Sequence, residues 1–169
     1  VAAARAPAEA DLTMFKEHAA GAIAVERSLH ESFFADFGVS EEEVAATPMA
    51  PTNLAYTSYL LASVYGASFP EALGAVLPCC WIYWEVGKSL LSAWVAQPAL
   101  SALDRDLRRG RSSPPSSARC SRSPDRLGPQ LAPAEEARMH ERFRITSRYE
   151  WMFWEMGYRR EPWPVGSRS

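Results

Sequence analysis

The sequence predicts an all-α fold, a bundle of helices. Three observations predict it. Apolar residues recur every three or four positions over long stretches. Serine–glutamate pairs stand three residues apart where helices should begin. No helix-to-strand alternation appears, and no β-hairpin signal is convincing. The 169 residues, 47 % apolar and 22 % charged, are enough for one domain with a real core.

The elements follow in order. Val1 to Arg5 reads as the tail of an earlier helix, and the chain, which begins with Val1 rather than Met, is expected to lie inside a longer protein. From Ala8 to Phe37 a single long helix is expected. Its apolar stripe is Leu12, Phe15, Ala19, Ile23, Leu29, Phe33 and Phe37, with one gap bridged by Val25 and Glu26. Pro7 suits its first turn and Gly38 its stop. Ser40 and Glu43 form a capping box for a short helix that Pro48 and Pro51 end. A third helix runs from about Asn53 to Tyr65 and closes on Gly66. Ser68, followed by Pro70 and Glu71, opens a long helix reaching about Trp94, with Pro78 in its interior expected to kink it. The last helix starts near Pro133 and ends near Met156, with Gly157 as its stop.

Composition excludes several function classes. The formal charge of −2 argues against a globally basic nucleic-acid binder. No apolar run is long enough to span a bilayer, and no signal peptide is visible. Three cysteines, two of them adjacent as Cys79 and Cys80, are too few for a disulfide framework and suit a reducing compartment.

One stretch departs from the rest. Pro98 to Arg126 holds seven arginines, four prolines and no aromatic residue. Such a composition buries too little surface to offset ordering, so a disordered segment is one reading. A basic nucleic-acid arm is another, weakened by the absence of aromatics to stack on bases. The third is a frameshift. Written in GC-rich codons, the nucleotides of Arg111 to Arg122 can spell an amphipathic helix in a neighbouring frame, and resequencing the gene would decide it.

Three clusters could carry chemistry. In Leu77 to Gly87 (LPCCWIYWEVG) a proline directly precedes Cys79, and a helix opened there can present a thiol to a cavity. Tyr83, four residues on, shares the face of Cys79. Plain packing of Cys79 is the alternative, and Cys80, about a hundred degrees around the helix, reads as core. In Ser147 to Trp154 (SRYEWMFW), Glu150 stands among large aromatics, where a carboxyl has a raised pKa. It could equally lie on a solvated face beside Arg148. In Ala50 to Tyr59, Tyr56 and Tyr59 share a helical face that could stack a flat heterocycle, or simply pack. His30 with Glu26 and Glu31 suggests metal ligation, but no matching carboxylate–histidine pair stands on another helix, so no metal is expected.

Together these clusters resemble the TenA family, also called thiaminase II or aminopyrimidine aminohydrolase. The matching residues are Ala50 to Leu60 (APTNLAYTSYL), the LPC.W.Y.E.G pattern at Leu77 to Gly87, and the SRYE..FWEM.YR..PWP pattern at Ser147 to Pro164; Ala24 to Gly38 also fits. The resemblance covers the chain except Pro98 to Arg126. It implies a heme-oxygenase-like helical bundle without heme, incomplete here. The implied activity is hydrolytic release of an amine or a thiazole from aminomethylpyrimidine or thiamin compounds, in thiamin salvage. It assigns Cys79 as nucleophile, Glu150 as acid/base, and Tyr56 and Tyr83 as substrate contacts. It implies no metal or organic cofactor, no nucleic acid and no membrane, and a homotetramer in the cytoplasm. Two family features have no counterpart: an acidic residue on helices that would precede Val1, and a tyrosine in the region of Pro98 to Arg126. The alternative class is a non-catalytic fragment that binds a ligand or partner; a regulatory protein is a third.

Overall fold

The computed structural model describes residues 1–21, 23–24, 27–95 and 122–165. Its helices are α1 (Glu9–Gly21), α2 (Arg27–Asp36), α3 (Glu41–Ala46), α4 (Pro51–Gly66), α5 (Phe69–Val95), α6 (Arg122–Leu127) and α7 (Pro133–Arg159), with single 3-10 turns at Ala3–Arg5 and Gly128–Gln130. No strand occurs among the described residues. Helices α5 and α7 pack along one another, and α4 lies against both. The all-α expectation holds.

The local signals explain most boundaries. At α3 both bonds of the capping box form: Ser40 N–H donates to Glu43 Oε2 at 2.8 Å, and Glu43 N–H donates to Ser40 Oγ at 3.2 Å. The Ser68–Glu71 pair does the same at the start of α5, at 3.3 and 3.4 Å. Gly38 adopts φ +67°, and Val39 N–H reaches back to the Phe34 carbonyl at 2.8 Å, closing α2. Pro78 lies buried inside α5, which runs through it unbroken from Phe69 to Val95.

Three expectations are corrected. Where described, the stretch read as one helix from Ala8 to Phe37 is helical: α-helical over Glu9–Gly21 and Arg27–Asp36, and π-helical at Ile23 and Ala24. The sequence pattern places an apolar stripe along it. That stripe is not the buried face: Leu12, Ile23, Phe33 and Phe37 are exposed, while Asp11 and Met14 are buried. Asp11 can be buried because α6 satisfies it: Ser123 Oγ donates to its Oδ1 at 2.7 Å and the Arg126 guanidinium pairs with its Oδ2. Val25, Glu26 and the side chain of Leu29 lie outside the described residues. The start of the chain forms a 3-10 turn, and Arg5 donates to the carbonyls of Val64 and Ala67, which α4 leaves open at its end. At its other end the chain runs past Gly157, since a Glu155–Arg159 ion pair one turn apart supports the extra turn. Arg160 then takes the left-handed conformation, φ 51°, with its N–H on the Gly157 carbonyl. Of the stretch Pro98 to Arg126, the part from Arg122 on is helical and the remainder lies outside the described residues.

Left-handed backbone costs an arginine what it does not cost glycine. Arg160→Gly is therefore expected to raise unfolding free energy by about 0.5–1 kcal/mol, net of glycine's larger unfolded-state entropy. A urea midpoint unchanged or lower than that of the parent chain would contradict this.

The core sits where α1, α5, α6 and α7 meet. Met14, Leu73, Leu127 and Met139 are buried together, with Phe15, Phe69, Leu77, Cys80 and Leu131 packed around them. Helices α5 and α7 approach closely at Gly74: a Cβ built there would stand 2.5 Å from the Met139 carbonyl oxygen and 3.0 Å from its Cγ. Backbone of a second helix cannot yield as a flexible side chain would. Gly74→Ala is expected to lose about 1–3 kcal/mol despite alanine's better helix propensity. Chemical denaturation checks it, and a neutral result would mean that the two helices separate freely.

Candidate active site

Four side chains singled out in the sequence converge between α4, α5 and α7. Tyr56, on α4, is buried. Its ring stacks parallel on Tyr149 of α7, with centroids 5.3 Å apart and planes 8° apart. Its hydroxyl donates a short hydrogen bond to Glu150 Oε1. Glu150 is only 2 % exposed, so the solvated-face alternative beside Arg148 is overturned. Cys79 and Tyr83 stand one turn apart on α5, both on an exposed face, and both are near enough to act electrostatically on the Tyr56 hydroxyl. Tyr83 leans on Trp154 of α7 at 5.3 Å, and Trp81 on Phe143 at 5.7 Å.

The electrostatics follow from burial. Burial raises the Glu150 carboxyl above its ordinary pKa, and the Tyr56 hydrogen bond opposes part of that rise. Burial, then the bond to Glu150, raises the Tyr56 phenol, which remains a proton donor throughout the physiological range. The arrangement is thus a poised carboxyl steadied by a permanent donor, with a thiol and a second phenol opposite. Such a set can bind a flat ring against aromatic walls, attack it with sulfur and move protons at its edge.

A further network braces the aromatic wall. Arg142 donates to the Tyr59 hydroxyl at 3.0 Å and lies over its ring, 5.5 Å from the centroid. Behind it, Glu71 sits 3.6 Å from both Arg138 and Arg142. Although burial raises the Glu71 carboxyl, hydrogen bonds from Ser68 and the two guanidinium charges outweigh it and bring the pKa below its usual value. Tyr59 leans on Tyr149 at 5.8 Å, so the predicted Tyr56–Tyr59 face does meet one partner.

Elsewhere, Cys80 packs against the core as read, with its Sγ 3.9 Å from His18 Nδ1. His30 faces the Phe34 ring, Glu31 pairs with Arg27, and Glu26 is outside the described residues. Among the described residues no group of three or more His, Cys, Asp or Glu side chains could hold a metal, and no helix is long and apolar enough to cross a membrane. A cavity of about 590 Å³ between α1 and α6, lined by Glu9, Thr13, Glu17 and Arg126, contains none of the four converging residues. Sequence reasoning missed Tyr149, Arg142 and Glu161 as parts of the site. For Glu161 one signal existed: a helix starting Ala50-Pro51 has no side-chain cap of its own.

Known proteins resemble this chain in sequence and in fold. The chain is 36 % identical over 163 residues to an aminopyrimidine aminohydrolase of Bacillus subtilis (strain 168), covering 86 % of this chain and 61 % of that protein. It is 30 % identical over 161 residues to an aminopyrimidine aminohydrolase of Halalkalibacterium halodurans, covering 82 % and 62 %. The chain thus spans about three fifths of the length of these curated relatives. Among solved structures, a TenA homologue protein from P. horikoshii OT3 superposes with a TM-score of 0.72 at 22 % identity, over 93 % of this chain and 72 % of that one. A structure titled a TenA family transcription regulator, from Silicibacter sp. TM1040, also gives 0.72, at 26 % identity, over 92 % and 71 %. These neighbours carry the helical heme-oxygenase-like fold. Residues 1–160 match the model of the TENA/THI-4/PQQC family, and the chain belongs to that family.

Proposed function

We propose that this chain is a TenA-type hydrolase that releases an amine or a thiazole from the methylene group of aminomethylpyrimidine or thiamin compounds, in thiamin salvage. The observation that carries the reading is the buried Glu150 carboxyl, held by a Tyr56 hydroxyl that Cys79 and Tyr83 also act on. The names of the curated relatives support the substrate class.

The reaction balances without redox chemistry. The Cys79 thiolate adds to the electron-poor ring, and the electron pair gained by the ring expels the leaving group from the exocyclic methylene. In its protonated form, which burial favours, Glu150 gives the departing amine its proton. Water then adds to the methylene, Glu150 takes back a proton, and the thiolate leaves as the ring regains aromaticity. One C–N bond breaks and one C–O bond forms. Tyr56 orients the carboxyl, and Tyr83 with Trp154 forms a wall for the ring. Family membership extends the proposal to a homotetramer in the cytoplasm, and the exposed Phe33 and Phe34 on α2, with Phe37 just after it, are consistent with assembly.

Ammonia release from aminomethylpyrimidine, measured on folded chain, tests the reading. Turnover well above the buffer rate is expected. A folded sample that binds the pyrimidine without turnover would instead make the chain a binding protein on a hydrolase scaffold.

A further inference from the structure

Helix α4 starts without a cap of its own. Ala50 offers no side-chain acceptor, and Pro51 has no N–H. The orphan donor of Thr52 is satisfied from 109 residues away. Glu161 accepts the Thr52 N–H on Oε2 and the Thr52 hydroxyl on Oε1, each at 3.0 Å. Two residues further on, Trp163 Nε1 donates to the Met49 carbonyl at 2.9 Å. Three polar bonds therefore strap the segment after α7 across the first turn of α4. The segment reaches that turn because α7 ends on left-handed Arg160.

One helical turn beyond Thr52, on the same face, stands Tyr56, whose hydroxyl meets Glu150 of α7. Successive turns of α4 are thus each held by a carboxylate from the C-terminal part of the chain. The two attachments differ in kind. The Tyr56 ring rests on Tyr149 as a nearly parallel stack, a contact that tolerates sliding. A slide of one residue along α4 is about 1.5 Å, which no hydrogen bond survives. The two-point grip of Glu161 on Thr52 does not tolerate such a slide.

We infer that Glu161 is a positioning residue: by pinning Thr52 it fixes the register of α4 on α7 in which the Tyr56 hydroxyl meets the Glu150 carboxylate. The kinetic consequence rests on the hydrolase reading; the geometric one does not.

The test follows the Glu150 carboxyl directly, by carbon-13 NMR titration of labelled full chain, alongside kcat and KM. The Tyr56 hydroxyl from α4 faces that carboxyl, Cys79 and Tyr83 from α5 act on the same hydroxyl, and none of the three is substituted in the Glu161 variants. Tyr56→Phe removes the bond that steadies the carboxylate, so Glu150 should titrate at higher pH. Glu161→Ala should move it the same way, by at least about half as much, and the double variant should move it no further than Tyr56→Phe alone. Glu161→Gln, which keeps an oxygen for the Thr52 N–H, should recover at least half of the shift. In turnover, Glu161→Ala should lower kcat on the order of tenfold with a smaller change in KM. Thr52→Val, which loses the hydroxyl bond but keeps the N–H bond, should give a smaller shift in the same direction and serves if Glu161→Ala does not fold. The inference is overturned if Glu161→Ala melts earlier yet leaves the Glu150 titration unmoved, if the shifts simply add, or if Thr52→Val moves nothing. A parent chain with no turnover would remove the hydrolase reading while leaving the NMR comparison decisive for the strap.

Discussion

Replacing Cys79 with alanine is expected to lower kcat/KM for aminomethylpyrimidine by about a thousandfold or more, while changing stability by less than about 0.5 kcal/mol. The two halves of this expectation have separate causes. Covalent attack is lost outright, because neither Tyr83 nor a water molecule replaces a thiolate as nucleophile toward an aromatic ring. Packing is hardly touched, because Cys79 is exposed. Cys80 makes the internal control. It packs against the Met14–Leu73 core beside His18, so Cys80→Ala should destabilise the chain measurably and leave the rate per folded molecule intact. Iodoacetamide should follow the same order, with Cys79 alkylated first and bound pyrimidine slowing it; peptide mass spectrometry reads both. A Cys79→Ala chain that keeps more than about a tenth of its activity would remove sulfur from the mechanism.

The features legible in the sequence are those written locally. Both capping boxes, the Gly38 stop and the Cys79–Tyr83 face depend on residues at most four apart, and the structure contains all of them. Periodicity showed that α1 and α2 each have an apolar side, but it cannot show what covers that side. Phe33 and Phe37 are therefore exposed, while Asp11, which is no part of the stripe, is buried and paired with Arg126 of α6. At the end of α7 the helix runs two residues past Gly157, with the Glu155–Arg159 pair spanning that glycine. In the site itself the residue types were readable and their pairing was not. Tyr56 and Glu150 lie 94 positions apart, and only folding decides whether Glu150 meets water, Arg148 or a phenol. Glu161 was the hardest to see, because its role belongs to a helix that begins 110 residues earlier, at Pro51.

Glu150→Gln should change activity and stability in opposite directions. Glutamine keeps a carbonyl oxygen for the Tyr56 hydroxyl and nearly the same volume, so the pocket persists, but it can neither give nor take the proton. Activity should fall by about a hundredfold to ten-thousandfold, the range of a lost general acid–base group. Stability follows from the raised pKa. In the unfolded chain Glu150 titrates as an ordinary glutamate; in the folded chain burial keeps it protonated to higher pH. Between those two values the folded state holds the extra proton, so stability falls as pH rises through that window and stays reduced above it. A glutamine has no charge to bury and escapes that fall. Above the window Glu150→Gln should therefore melt at higher temperature than the parent chain, and below it, where the parent carboxyl is neutral in both states, the two should melt alike. Melting curves at about pH 3.5, below the ordinary glutamate value, and at about pH 8 compare the acid and alkaline ends. The combination of lost turnover with gained stability at the higher pH is what a carboxyl retained for chemistry produces. If Glu150→Gln instead melts earlier than the parent at both pH values, Glu150 is holding the α4–α7 contact together rather than being stored there as an acid, and the catalytic assignment fails with it.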